Sequence, residues 1–345
     1  MDDPPRQDDG SPGFSRELLQ RAIDNKTKPV GSLGRIESLA LQIGLLQQSL
    51  TPTMESCQLT LFAGDHGLAA AGVSAYPQEV TRQMVLNFLA GGAAANVFAR
   101  AHGVALRVVD AGVAGEPIEH PDLIGRRIGA GTRNSSVEPA MTAVELEQAL
   151  QHGSDLVADS DFDALCFGEM GIGNTSAATL VFHKLLGLPL GDLVGRGTGL
   201  DDDGVERKGE RLAEAAARTA TELGPEQALA EYGGFEMAMM AGAVQQAAAQ
   251  RKLVLVDGFI ATAAAAVVLR LEPSAREAMV FAHRSDERGH AAVLDALDAE
   301  PLLDLRLRLG EGTGALLAWP LVRSACAMLN EMASFDDAGV SGPEP

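Results

Sequence analysis

Six times along the chain a short apolar, β-branched run gives way to a polar or charged residue beside glycine and then to a helical stretch. The runs are "QLTLFAGDHG", "ALRVVDAGV", "ALCFGEMGIG", "LVLVDGFIA", "AMVFAHRS" and "DLRLRLGEGTG". Runs this short and mostly apolar suit strands covered on both faces, and the Ala- and Leu-rich stretches between them supply the crossovers that parallel strands need. The pattern predicts an α/β fold, a Rossmann-like parallel six-stranded sheet flanked by helices. In such sheets ligands bind beyond the carboxyl ends of the strands. There the sequence sets Asp65, His66, Asp110, Glu169, Asp257, His283 and Glu311.

Ahead of the first run, "SRELLQRAIDNKTKPVGSLGRIESLALQIGLLQQSL" has helical apolar spacing broken at Lys28-Pro29 and Gly31. With a C-terminal helix over 315–333 it is expected to form a smaller helical domain or flap. Both ends of the chain are polar, acidic and rich in Pro and Gly, too poor in apolar surface to offset the entropy of ordering. The expected organisation is therefore a disordered tail at 1–13, the N-terminal helical part of the small domain at 14–55, a large α/β domain with the active site at 56–314, the C-terminal helix of the small domain at 315–334, and a second disordered tail at 335–345.

Charge narrows the partners. Of 345 residues, 27 are Lys or Arg and 47 Asp or Glu, a formal charge of −20, which disfavours a nucleic-acid polymer or an anionic membrane surface. Any phosphate must be held by local groups. No apolar run reaches the roughly 18 to 20 residues of a membrane span, and the opening "MDDPPRQDDGSPG" lacks the basic and apolar regions of a signal peptide. A cytoplasmic location is expected. Cys57, Cys166 and Cys326 are far apart without CxxC spacing, so buried reduced thiols are expected rather than disulfides or a zinc site.

Five further stretches could carry chemistry. Gly168-Glu169-Met170-Gly171-Ile172-Gly173 follows a strand and opens a helix, with Asn174, Thr175 and Ser176 as N-cap candidates, but it has neither Walker A nor dinucleotide spacing. In "GRGTGLDDDGVERK" the aspartates invite a metal but also suit the cap and first turn of a helix, and Lys208 offers a point charge for a phosphate monoester. The histidines of "GDHG" and "HRSDERGH" lack the spacing of a helical metal pair and read better as loop-holding residues. In "VSAYPQEVTRQM" a rare tyrosine, Tyr76, is a platform for an aromatic ligand, with a packed loop as the equal alternative.

Taken together, "KPVGSLGRIESLA", "GDHG", "VSAYPQEVTRQMVLNFLAGGAAANVFAR", "GEMGIGNTSAA", "GRGTGLDDDGVERK", "GGFEMAMMAGA", "DGFIATAAA", "AHRSDERGH" and "LRLGEGTGALLAWPL" resemble the nicotinate-nucleotide:dimethylbenzimidazole phosphoribosyltransferases of cobalamin biosynthesis, in order from about Lys28 to Leu321. The resemblance implies transfer of phosphoribose from nicotinate mononucleotide to dimethylbenzimidazole, with inversion, giving α-ribazole phosphate and nicotinate. It implies Glu311 as the general base and Glu169 as a second active-site carboxyl. It further implies Gly171, Gly173, Asn174, Thr175, Gly197, Lys208, Ser285, Gly310 and Gly312 as phosphoribose-binding and Ser74, Tyr76, Gln83 and Leu309 as base-binding. Neither metal nor cofactor is implied, and a homodimer is. The alternatives are a related phosphoribosyltransferase or nucleosidase with another aromatic base, or a silent nucleotide-binding paralogue.

Overall fold

The computed structural model describes residues 14–341 apart from Thr198. The tail expected at 1–13 and the last four residues of the one expected at 335–345 lie outside these. The chain forms two compact units, one made of the segment up to Thr53 and that from Leu321 onward, the other of Met54–Pro320. The boundary falls between Pro320 and Leu321, partway along the helix Thr313–Glu331, rather than after Gly314 near its start.

In the larger unit the strands β1 (Cys57–Gly64), β2 (Ala105–Gly112), β3 (Leu123–Gly125), β4 (Ala164–Met170), β5 (Leu253–Val256) and β6 (Met279–Phe281) form one sheet in the order β3-β2-β1-β4-β5-β6. Every pairing is parallel. This is the doubly wound order, and its direction reverses between β1 and β4, where the crevice for a ligand opens. Five of the six predicted runs are strands.

The sixth is not. "DLRLRL" runs beside the end of β6, with Leu303 N–H donating to Ala282 O at 3.0 Å and Asp286 N–H donating to Leu307 O at 2.8 Å, but it forms no ladder. Arg306 sits in the left-handed region at φ 56°, and Leu305 and Leu309 are more than half exposed. A left-handed residue turns the chain out of the sheet, so its alternation never meets a covered face. The sheet's sixth strand is instead β3, three partly exposed residues too short to show a period.

The Ala-rich stretches pack as expected. In the helix Phe259–Leu271 every residue from Phe259 to Val268 is buried. The helices Ala143–Ala158 and Phe235–Ala249 approach so closely that a Cβ on Gly153 would lie 1.8 Å from Met239 O and one on Gly242 1.9 Å from Leu150 O. The stretch Glu79–His102 has the length and apolarity of a membrane span. It is broken into two helices, Glu79–Leu89 and Ala94–His102, that pack on the sheet.

In the smaller unit the helices Arg16–Asp24 and Arg35–Gln47 are separated by the break at Lys28-Pro29 and Gly31. Glu37 reaches back to accept N–H groups of Gly31 and Leu33 and pairs with Lys28 at 2.9 Å. Beyond residue 334 the expected disorder gives way to a one-turn helix, Phe335–Ala338, because Ser334 caps it and Phe335 N–H donates to Asn25 O.

Gly242→Ala would force a methyl into a backbone carbonyl that cannot retreat, and overpacking of this kind costs about 1–3 kcal/mol. The variant is expected to melt several degrees below wild type. An unchanged melting temperature would mean that the two helices stand further apart.

Candidate active site

A cavity of about 400 Å³ lies at the carboxyl ends of the strands. Its polar side is made by Glu169, at the end of β4, and by Glu311, on the loop that follows the failed sixth strand. Gly310, Glu311 and Gly312 are all left-handed, with φ of 85°, 63° and 78°. Only the middle one carries a side chain, and a non-glycine residue there is held against its preference by the surrounding structure. The approach is also tight: a Cβ on Gly310 would lie 2.2 Å from Glu169 Oε1.

Glu311 is 5% exposed, and its Oε2 accepts Ala95 N–H at 3.3 Å in the first turn of the helix Ala94–His102. Burial pushes its carboxyl above the usual range, the Ala95 N–H opposes this, and the Asp257 charge adds to the rise. Glu169 is pushed further. Burial, reinforced by Asp257, Glu236 and Glu311, takes its carboxyl up to about 8 against the pull of the Asn174 amide. At neutral pH Glu169 therefore holds its proton for most of the time. Two neighbouring carboxyls in unlike surroundings are a pattern of acid–base sites.

Several expected roles change in the folded chain. Asn174 does not cap the helix Asn174–Leu186. Gly173 does, at φ 99°, and the Asn174 side chain turns to Glu169 instead. Gly173 packs on His66 and does not line the cavity. Gly312 is also absent from the wall: its N–H donates to Asp257 Oδ2 at 3.2 Å, so the anion cradled by this glycine loop is the protein's own carboxylate. Lys208 is 1% exposed and lies behind the Gly195–Gly199 turn, its Nζ 3.3 Å from both Thr175 Oγ1 and Gly195 O. Burial brings its ammonium down to about 8, opposed by Glu287.

Gly171, Asn174, Thr175, Gly197, Ser285 and Gly310 do line the cavity, as do Tyr76 and Leu309 on its apolar side. Ser74 and Gln83 do not. Ser74 Oγ accepts Tyr76 N–H within its own loop, and Gln83 is exposed on the helix Glu79–Leu89, whose cavity face carries Val80 and Met84 one turn apart. Sequence reasoning missed these two, although i,i+4 spacing from Val80 could have found Met84. It also missed Arg308, which lines the cavity and donates to Gly197 O at 3.2 Å, and Glu287.

The remaining polar residues support the walls. His66 pairs with Glu236 at 2.8 Å, while His290 accepts Ser285 N–H at 2.8 Å and meets Thr262. Asp201 caps the helix Asp202–Ala216 by accepting Gly204 N–H, and Asp202 pairs with Arg196. The capping reading of the acidic triplet holds.

Glu169 binds its proton more tightly in the folded chain than in the unfolded one. Its contribution to stability is full below the ordinary carboxyl pKa of 4.5 and is lost as the pH rises through about 8. Glu169→Gln, permanently neutral, is expected to match wild type in acid and to melt increasingly above it as the pH rises from 4.5, with the gap levelling off near 8. Parallel melting curves across that range would show that Glu169 ionises freely.

The model of the DBI_PRT phosphoribosyltransferases matches residues 14–340. A nicotinate-nucleotide–dimethylbenzimidazole phosphoribosyltransferase of Cupriavidus necator is 57% identical over 333 residues, spanning 96% of each chain. One of Ralstonia nicotianae is 55% identical over 332 residues, 95% of this chain and 94% of the relative. Among solved structures, CobT from Thermus thermophilus superposes with a TM-score of 0.91 at 44% identity, covering 94% of this chain and 98% of the other. With matches of this reach, the chain belongs to the nicotinate-nucleotide–dimethylbenzimidazole phosphoribosyltransferase family.

Proposed function

We propose that the chain transfers phosphoribose from nicotinate mononucleotide to dimethylbenzimidazole, giving nicotinate and the α-ribazole phosphate of the cobalamin lower ligand. The observation that carries this is Glu311, a buried carboxylate held on a left-handed loop at the wall of a cavity that is apolar on its other side. In the transfer, an acceptor ring nitrogen attacks the anomeric carbon as its bond to the pyridine nitrogen breaks. The bonding pair returns to the pyridine ring, cancels its positive charge, and leaves nicotinate needing no proton. The acceptor must shed the proton of its other nitrogen, and Glu311 takes it. Glu169, protonated beside it, keeps a second negative charge from competing for that proton.

The apolar wall of Tyr76, Val80, Met84 and Leu309 suits a flat aromatic base. The phosphate is assigned to the turn at Gly195–Gly199 with Thr175, Ser285 and Arg308, and Lys208 supplies positive charge from behind that turn. The mechanism uses protein groups alone. The same reading assigns a homodimer and a cytoplasmic setting, in which Cys57, Cys166 and Cys326 stay as buried free thiols.

Nicotinate release from nicotinate mononucleotide, followed with and without dimethylbenzimidazole, tests the reaction. Release is expected to depend on the base, and release equally fast without it would identify a nucleosidase. Glu311→Gln is expected to bind the nucleotide normally but lose at least roughly a hundredfold in turnover, the usual scale of general-base catalysis. Turnover near wild type would remove Glu311 from the role.

A further inference from the structure

Asp257 has no place in the chemistry set out above, yet backbone donors converge on its carboxylate. It follows β5 and is 3% exposed. Oδ2 accepts Gly312 N–H at 3.2 Å, Oδ1 accepts Ala315 N–H at 2.9 Å, and Gly314 N–H also donates to it. These donors are the last residue of the glycine loop and the first turn of the helix Thr313–Glu331, an end that favours a negative charge. His283 Nε2 stands 3.8 Å from Oδ1, and its ring fills the space where a Gly314 side chain would go, with a Cβ there 1.9 Å from Cδ2. Burial pushes the Asp257 carboxyl above the usual range, and His283 and these N–H donors oppose that rise and favour the ionised form. The residue next to Gly312 is Glu311.

We infer that Asp257 is a positioning residue: an internal anion that pins the loop by Gly312 N–H and the helix start by Ala315 N–H, and so holds Glu311 in its left-handed conformation facing the acceptor. The inference rests on Glu311 being the base. Holding the loop is half of the role. The Asp257 charge also reaches Glu311 and makes it bind a proton more tightly, which strengthens a base. Removing that charge lowers the pH at which Glu311 becomes protonated.

The other titratable groups facing this pair are Glu169 and Cys166 from β4 and His283 after β6, while Glu236 from the helix Phe235–Ala249 faces Glu169. A carboxylate that merely caps a helix would cost stability on removal and leave the pH dependence of turnover where it was.

Asp257→Asn, Glu311→Gln and the double variant separate these roles, with Asp257→Ser, smaller and still an acceptor, as the substitute should the asparagine variant not fold. Turnover, the KM for nicotinate mononucleotide and the pH profile of kcat are read on variants whose melting shows them folded. Asp257→Asn is expected to lose roughly ten- to a hundredfold in kcat, the scale of a misplaced catalytic group, with the KM for nicotinate mononucleotide little changed. The acid limb of its profile should move to lower pH, and the double variant should be no slower than Glu311→Gln alone. An unmoved acid limb, or losses that multiply in the double variant, would overturn the inference. Near wild-type turnover of Glu311→Gln would instead overturn the base reading beneath it, and the inference with it.

Discussion

Carboxyl groups crowd the carboxyl ends of β1, β4 and β5, and the site depends on how the fold divides their charge. Asp65, Glu169, Glu236, Asp257 and Glu311 are all buried. Each isolated buried carboxylate would be too costly to keep ionised, so each is given different company. Asp65 accepts Ala114 N–H and the Thr81 hydroxyl. Glu236 lies against His66, whose imidazole burial would neutralise but whose carboxylate partner holds it above its ordinary pKa. Asp257 takes backbone N–H groups, Glu311 takes one from a helix start, and Glu169, left with a single amide, keeps its proton.

That partition depends on close backbone approach. The Glu311 loop can pass over the end of β4 only because Gly310 leaves room for the Glu169 carboxyl and Gly312 for Leu59. Beneath, paired glycines let Ala143–Ala158 and Phe235–Ala249 approach to contact, which brings Glu236 to the strand ends. A packing arrangement on the far side of a helix thereby sets a charge at the site. Small residues recur in the crossovers, where close packing leaves no room for added volume.

Much of this was legible in the chain. The strand-then-carboxylate pattern located β1, β2, β4, β5 and β6 and put Glu169 and Glu311 at one end of the sheet, because a fully covered parallel strand has to be apolar and a ligand-facing loop does not. "DLRLRL" misled for the same physical reason: alternation records a pattern of side chains, and the left-handed Arg306 decides whether that pattern ever meets a sheet. β3 escaped because three residues carry no period.

The sequence by itself determined which residue types stand at the ends of which strands, and with them the fold class and the pair of glutamates. Only the tertiary structure decided what each group touches. Gly310 and Gly312 were expected to hold phosphoribose, but the Gly312 N–H is spent on Asp257, 55 positions away along the chain. Lys208 lies behind its glycine turn, and Arg308 lines the cavity. Hydrogen bonds and desolvation depend on neighbours brought from distant segments, and a linear pattern holds no record of those distances.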